Sequence, residues 1–93
     1  MKSPRDHALA LLEKAEHDLV AAEATIATGQ ALDVVCFHAQ QAAEKSLKAI
    51  LALMDVEYPW KHDMGELVAL VAPHATEIAP LADALIAMSP YAV

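Results

Sequence analysis

His38, Gln41, Lys45 and Lys48 are spaced three, four and three residues apart within one alanine-rich segment. That spacing stacks side chains on a single face of a helix. Two cations, a titratable ring and an amide on one stripe could bind a phosphate or a nucleotide edge. Glu44 lies four residues before Lys48, the favourable order for a helical ion pair. Gln40 and Glu44 flank the apolar side of the segment next to Phe37. A solvated face with ordinary ion pairs explains the same spacing and is the commoner outcome. A partner-helix interface is the third reading.

Other chemistries find less support. A di-metal bundle site needs Glu-x-x-His on two helices, and the chain contains none. Glu13 and His17 are four apart, but on a face expected to be exposed. There is no His-Glu-x-x-His and no cysteine pair. The five histidines therefore read as surface residues, and neither a metal nor a cofactor is expected. Cys36 falls early in the His38 segment, where a thiol can be activated. His38, two residues on, points to a different face. Cys36 also shares its stripe with Ala43 and Leu47, so a buried, inert cysteine is the better reading.

These residues must be carried by helices, because the chain reads as four helical segments divided by breakers. The first opens at Ser3-Pro4, with Ser3 as N-cap, Pro4 in the first turn and Asp6 favourable to the helix dipole. Its apolar stripe is Ala8, Leu12, Ala15, Leu19, Ala22 and Ile26, opposite Glu13, His17 and Val20, and Gly29 stops it. The second runs from Leu32 or Asp33 to Met54, with Cys36, Ala43, Leu47, Ile50, Leu51 and Met54 inward. A loop from Asp55 to His62 follows. The third begins at Asp63, which has Glu66 three residues on as in a capping box, buries Met64, Leu67, Leu70 and Val71, and ends at Pro73. The fourth starts at Thr76 or Ala79, turns Ile78, Leu81, Leu85 and Met88 inward, and stops at Ser89-Pro90. Short connections between such helices predict an all-α fold, an up-and-down antiparallel four-helix bundle forming a single domain over residues 1–93.

Composition bounds the partners. The chain has 93 residues, a net charge of −7, 57% hydrophobic residues and 4% aromatic ones. The apolar content excludes intrinsic disorder, and a lone cysteine excludes a disulfide scaffold. Twenty-one alanines and two glycines argue against an all-β domain. The charge has the wrong sign for coating nucleic acid. No secretory leader is visible at Met1–Asp6, and the longest strictly apolar run, Ala49 to Met54, is far short of a membrane span. A cytoplasmic protein is expected. The apolar residues exceed what one small bundle interior can use, so a homodimer is expected, joined through the first two helices or the fourth.

The run Phe37-His38-Ala39-Gln40-Gln41-Ala42-Ala43-Glu44-Lys45-Ser46-Leu47-Lys48-Ala49 closely resembles the signature helix of the HEPN domain family (higher eukaryotes and prokaryotes nucleotide-binding). The family pattern there is a run like F-x-A-Q-Q-A-A-E-K-x-L-K-A. His62-Asp63-Met64 with Glu66-Leu67 resembles the family's T-H-D-L-x-x-L element, with Lys61 in the threonine place. Asp18-Leu19, the Gly29 turn before Asp33, and Tyr91 also fit, so the resemblance covers essentially the whole chain.

The resemblance implies a four- or five-helix bundle, a homodimer, and a minimal nucleotidyltransferase as partner, often as toxin and antitoxin. Some members bind nucleotides. It places the motif residues at Gln40, Gln41, Glu44, Lys45, Lys48, His62 and Asp63. Active toxins of the family are metal-independent RNases with an Arg-x(4–6)-His motif late in the fold. Here the sole arginine is Arg5, and its spacing to His7 is wrong. No catalytic residue can therefore be assigned within the chain. The leading expectation is a binding and regulatory module. The alternative is an RNase toxin whose motif lies beyond residue 93. Glu44, costly to bury without a donor, either pairs with His62 or the backbone N–H groups near Asp63, making Gln40, Glu44 and His62 a structural cluster, or contacts a ligand directly.

Overall fold

The computed structural model describes residues 3–58 and 63–88. Four α-helices follow in order: α1 (Pro4–Ile26), α2 (Leu32–Leu53), α3 (Met64–Val71) and α4 (Ala82–Ala87), the last preceded by a 3-10 stretch over Thr76–Leu81. No strand occurs among the described residues. The protein is all-α, as its periodicity predicts. No helix among the described residues is long and apolar enough to cross a membrane.

The start of α1 follows its sequence closely. Ser3 Oγ accepts from the Asp6 N–H at 3.1 Å, and Asp6 Oδ2 accepts from the Ser3 N–H at 3.2 Å. This reciprocal box satisfies two donors that the helix itself leaves unpaired. At the other end Gly29 takes φ +69°, a left-handed conformation suited to glycine. Ala31 takes φ 52° to cap α2, without a side-chain hydrogen bond. Residues 27–31 fold α2 back along α1, and the two long helices pack against each other over their length.

The α1 stripe divides in two. Ala8, Ala15 and Ala22 are buried together with Asp18, whereas Leu12, Leu19 and Ile26 are 46%, 50% and 62% exposed. The expectation of one buried stripe is therefore corrected. Alanines seven apart on α1 are matched on α2 by buried Val35, Ala42 and Ala49, also seven apart. Small side chains let two helices approach closely, and a close approach leaves the larger residues on the flank outside the seam.

Helix α2 is buried on two sides, where its sequence suggested one. Every residue from 35 to 52 is buried or half-buried. Leu47 and Leu51 form the core with Met64, Leu67, Val68 and Val71, and Ile50, Leu70, Ile78 and Leu85 pack around it. Cys36 is half-buried, and Met54 is exposed, contrary to the inner-face expectation. Met54 follows the last helical residue and caps the end of α2.

Helix α3 matches its expected span and buries Met64, Leu67 and Val71 as expected, while Val68 takes the fully buried place expected of Leu70, which is half-buried at the core's edge. Asp63 Oδ1 accepts from the Glu66 N–H at 2.8 Å and caps it. The fourth segment does not form one continuous α-helix. Pro80 lies inside the 3-10 stretch. Proline lacks the N–H that an α-turn needs, and its ring clashes with the preceding turn. The altered phase leaves Leu81 exposed while Ile78 and Leu85 still reach the core.

Candidate functional site

The polar stripe of α2 does not face solvent as a row. His38 and Lys45 turn onto α1 and converge on Asp18. Asp18 is 8% exposed. Its Oδ1 lies 2.9 Å from His38 Nδ1, and its Oδ2 accepts from Lys45 Nζ. The expectation of a solvated outer face is corrected at these two positions, whose side chains are only about a quarter exposed. Position explains this: His38 and Lys45 each follow a buried seam residue, Val35 and Ala42, by three, so they border the α1 contact.

The carboxylate's environment favours its charge. Burial is the largest single influence and works against ionisation. Hydrogen bonds from Lys45 and His38, together with their charges, outweigh it and hold the Asp18 pKa below its ordinary value. A carboxylate at Nδ1 orients the imidazole. In the neutral ring it accepts the Nδ1 proton and leaves the Nε2 lone pair for other partners. Phe37 meets the His38 ring edge-on, with centroids 5.4 Å apart. Asp18 is the residue that periodicity missed. Its signal was its place three residues after Ala15, which puts a charge on the edge of the alanine seam.

The remaining motif residues of α2 make pairs within the helix. Gln40 is 1% exposed, and its Oε1 accepts from Gln41 Nε2 at 2.8 Å. Glu44 Oε2 lies 3.6 Å from Lys48 Nζ, the ion pair that the four-residue spacing predicts. The same ammonium stands 5.6 Å from the centre of the Tyr58 ring, within cation–π range. Asp63 is committed to the α3 cap. His62 and Tyr91 lie outside the described residues, and so does the expected pairing of Glu44 with His62.

Both lysines of the stripe thus have carboxylate partners within the chain. The stripe is a set of interhelical and intrahelical pairs rather than an open basic strip. Among the described residues, no three His, Cys, Asp or Glu side chains come together as a possible cation site. A cavity of about 450 Å³ lies elsewhere, between the start of α1 and the end of α2, and none of the described motif residues lines it. Its walls include His7, Asp55, Glu57 and Tyr58.

Curated proteins and solved structures offer no match to this chain. The family model described as HEPN domain matches residues 8–93, from the second turn of α1 onward. That span includes the Asp18 anchor, the whole Phe37–Ala49 run and the Asp63 cap. The chain therefore belongs to the HEPN domain family.

Proposed function

We propose that this HEPN protein is a binding and regulatory module: an up-and-down bundle that forms a homodimer and pairs with a minimal nucleotidyltransferase as one half of a toxin–antitoxin-like pair. The observation that carries this reading is the apolar surface left uncovered on a small chain. Leu9, Leu12, Leu19, Val20 and Ile26 on α1, and Leu81 and Ile86 near the chain's far end, are all exposed. Scattered exposed apolar residues are ordinary, but two such groups on a family of interacting domains favour protein contacts.

A nucleotide is the candidate ligand. Gln41 and Lys48 are the partly exposed motif residues outside the Asp18 cluster, and Lys48 would exchange its Glu44 partner for the ligand. The test is twofold. Light scattering at micromolar concentration is expected to give twice the 9.9 kDa chain mass. Coexpression with a minimal nucleotidyltransferase is expected to yield a stable complex. A monomer that does not co-elute with that protein would overturn the reading. Calorimetry with ATP against wild type and Lys48→Ala tests the nucleotide: equal heats from both would remove Lys48 from the site.

A further inference from the structure

Leu12, Leu19 and Ile26 repeat every seven residues along the flank of α1 beside the alanine seam. A heptad of large apolar residues is the pattern that accepts another helix. Leu12 to Ile26 spans about 21 Å at the ~1.5 Å helical rise, enough for about four turns of a partner. Leu32, exposed at the start of α2, extends the apolar surface near the Ile26 end.

The edge of this stripe is acidic. Glu16 follows Leu12 by four and Glu23 follows Leu19 by four, so both border it on the outer side. Both are exposed, and neither forms an ion pair among the described residues. Lys14 points well away from the stripe, and Arg5 lies before its first leucine. Elsewhere on these two helices the carboxylates Asp18 and Glu44 already have cationic partners. Two copies of this chain joined along the stripe would set Glu16 and Glu23 of each against an acidic edge of the other, in parallel or antiparallel order. Like charges at flanking positions select against such a pair.

We infer that the Leu12–Leu19–Ile26 stripe docks an amphipathic helix of a partner protein, with apolar residues at heptad spacing and Lys or Arg on its flanks. This rests on the proposal that the protein works by pairing with another protein, and it assigns the homodimer contact to a different face. Glu16 and Glu23 choose the partner by charge, and the leucines supply the contact area.

The test uses two synthetic helical peptides with the same leucine heptads, one flanked by lysine and one by glutamate. Amide shifts of the full-length protein are followed by NMR. The lysine peptide is expected to shift residues along Leu12, Leu19 and Ile26, and to bind about tenfold more tightly than the glutamate peptide. The double variant Glu16→Lys/Glu23→Lys is expected to reverse that order. Leu19→Ser is expected to abolish peptide binding and leave the oligomeric state unchanged. Equal binding of both peptides, or shifts that avoid the stripe, would overturn the inference. A homodimer turned monomeric by Leu19→Ser would also overturn it, by assigning the stripe to a second copy, while leaving the dimer reading intact. A monomeric wild type that still prefers the lysine peptide along the stripe would overturn the dimer and keep the stripe.

Discussion

Asp18 of α1 and His38 of α2 are twenty positions apart in the chain and meet at 2.9 Å, carboxylate oxygen to ring nitrogen. Lys45, seven residues or about two turns further along α2, closes on the second oxygen of the same carboxylate. One buried anion thereby fixes both the spacing and the register of the two long helices. An apolar alanine seam alone would hold them less specifically, because alanines two turns apart along it are nearly interchangeable.

Removing that anion is expected to weaken the hairpin. Asp18→Ala leaves His38 and Lys45 facing the seam without their acceptor, and the expected loss is about 1–3 kcal/mol. Lys45→Met is expected to cost less, because His38 still pairs with the carboxylate and the apolar side chain suits the helix boundary. Urea denaturation of both single variants and the double variant measures the coupling. Strictly additive losses would show that the pair contributes nothing.

Acid stability follows from the direction of the same shift. The folded-state pKa of Asp18 lies below its ordinary value of 3.8. The stabilisation is therefore fully present above about pH 3.8, and is lost as pH falls through the lower folded value. Wild type is expected to lose this increment on acidification, while Asp18→Asn lacks it at every pH. Denaturation curves from pH 7 down to about pH 2.5 should show the stability gap between the two proteins closing only at the acid end. A gap that stays constant would mean that the carboxylate charge is irrelevant.

Much of this arrangement was legible in the sequence, and the remainder was hidden for physical reasons. The Ser3 cap, the Gly29 turn, the Asp63 cap and the Glu44–Lys48 pair are local, and local chemistry depends on residues three or four apart. The division of the α1 stripe was not readable, because Ala15 and Leu19 are both apolar and only the distance to α2 decides which is covered. The role of His38 and Lys45 was hidden for a related reason. A polar residue at helical spacing reads as exposed until a buried carboxylate on another helix gives it a partner. Pro80 was visible, but tolerance for proline in a first turn made an α-helix there equally consistent with the residues.

The two kinds of leucine on the long helices should respond very differently to truncation. Leu51 is fully buried among Leu47, Leu67 and Val71. Leu51→Ala is expected to cost about 2–5 kcal/mol through lost contacts and the cavity left behind. Leu19→Ala, half in solvent, is expected to change stability by no more than about 0.5 kcal/mol in a protein without its partner. Thermal or urea unfolding of both variants checks this. A large loss at Leu19 in the isolated dimer would mean that the residue is already covered.

Gln40 tests what a buried amide is doing in an otherwise apolar position. Gln40→Leu keeps the volume and removes the amide, acceptor oxygen and N–H donors together, and Gln41, half-exposed, can turn its own amide to water. The expected change is within about 1 kcal/mol. Gln40→Ala opens a void and is expected to cost about 2 kcal/mol or more. If leucine proves as damaging as alanine, the amide itself rather than its bulk is required, and a further polar contact at Gln40 would have to be sought.

The short helix α3 depends on its cap more than the long helices do. Eight residues carry four core side chains, and an isolated helix of that length is unstable in water. Asp63→Ala is expected to cost about 1 kcal/mol by freeing the Glu66 N–H. Gly65 offers a test of the cap's geometry. A Cβ added there would stand 3.3 Å from Asp63 Oδ1, the same oxygen that accepts from Glu66. Alanine at 65 gains up to about 1 kcal/mol of helix propensity but crowds that oxygen. Gly65→Ala should therefore stabilise the protein more in the Asp63→Ala background than in wild type. A double-mutant cycle by urea denaturation reads the difference, expected at about 0.5 kcal/mol. Equal gains in both backgrounds would show that the aspartate moves aside freely and that the cap tolerates the methyl group.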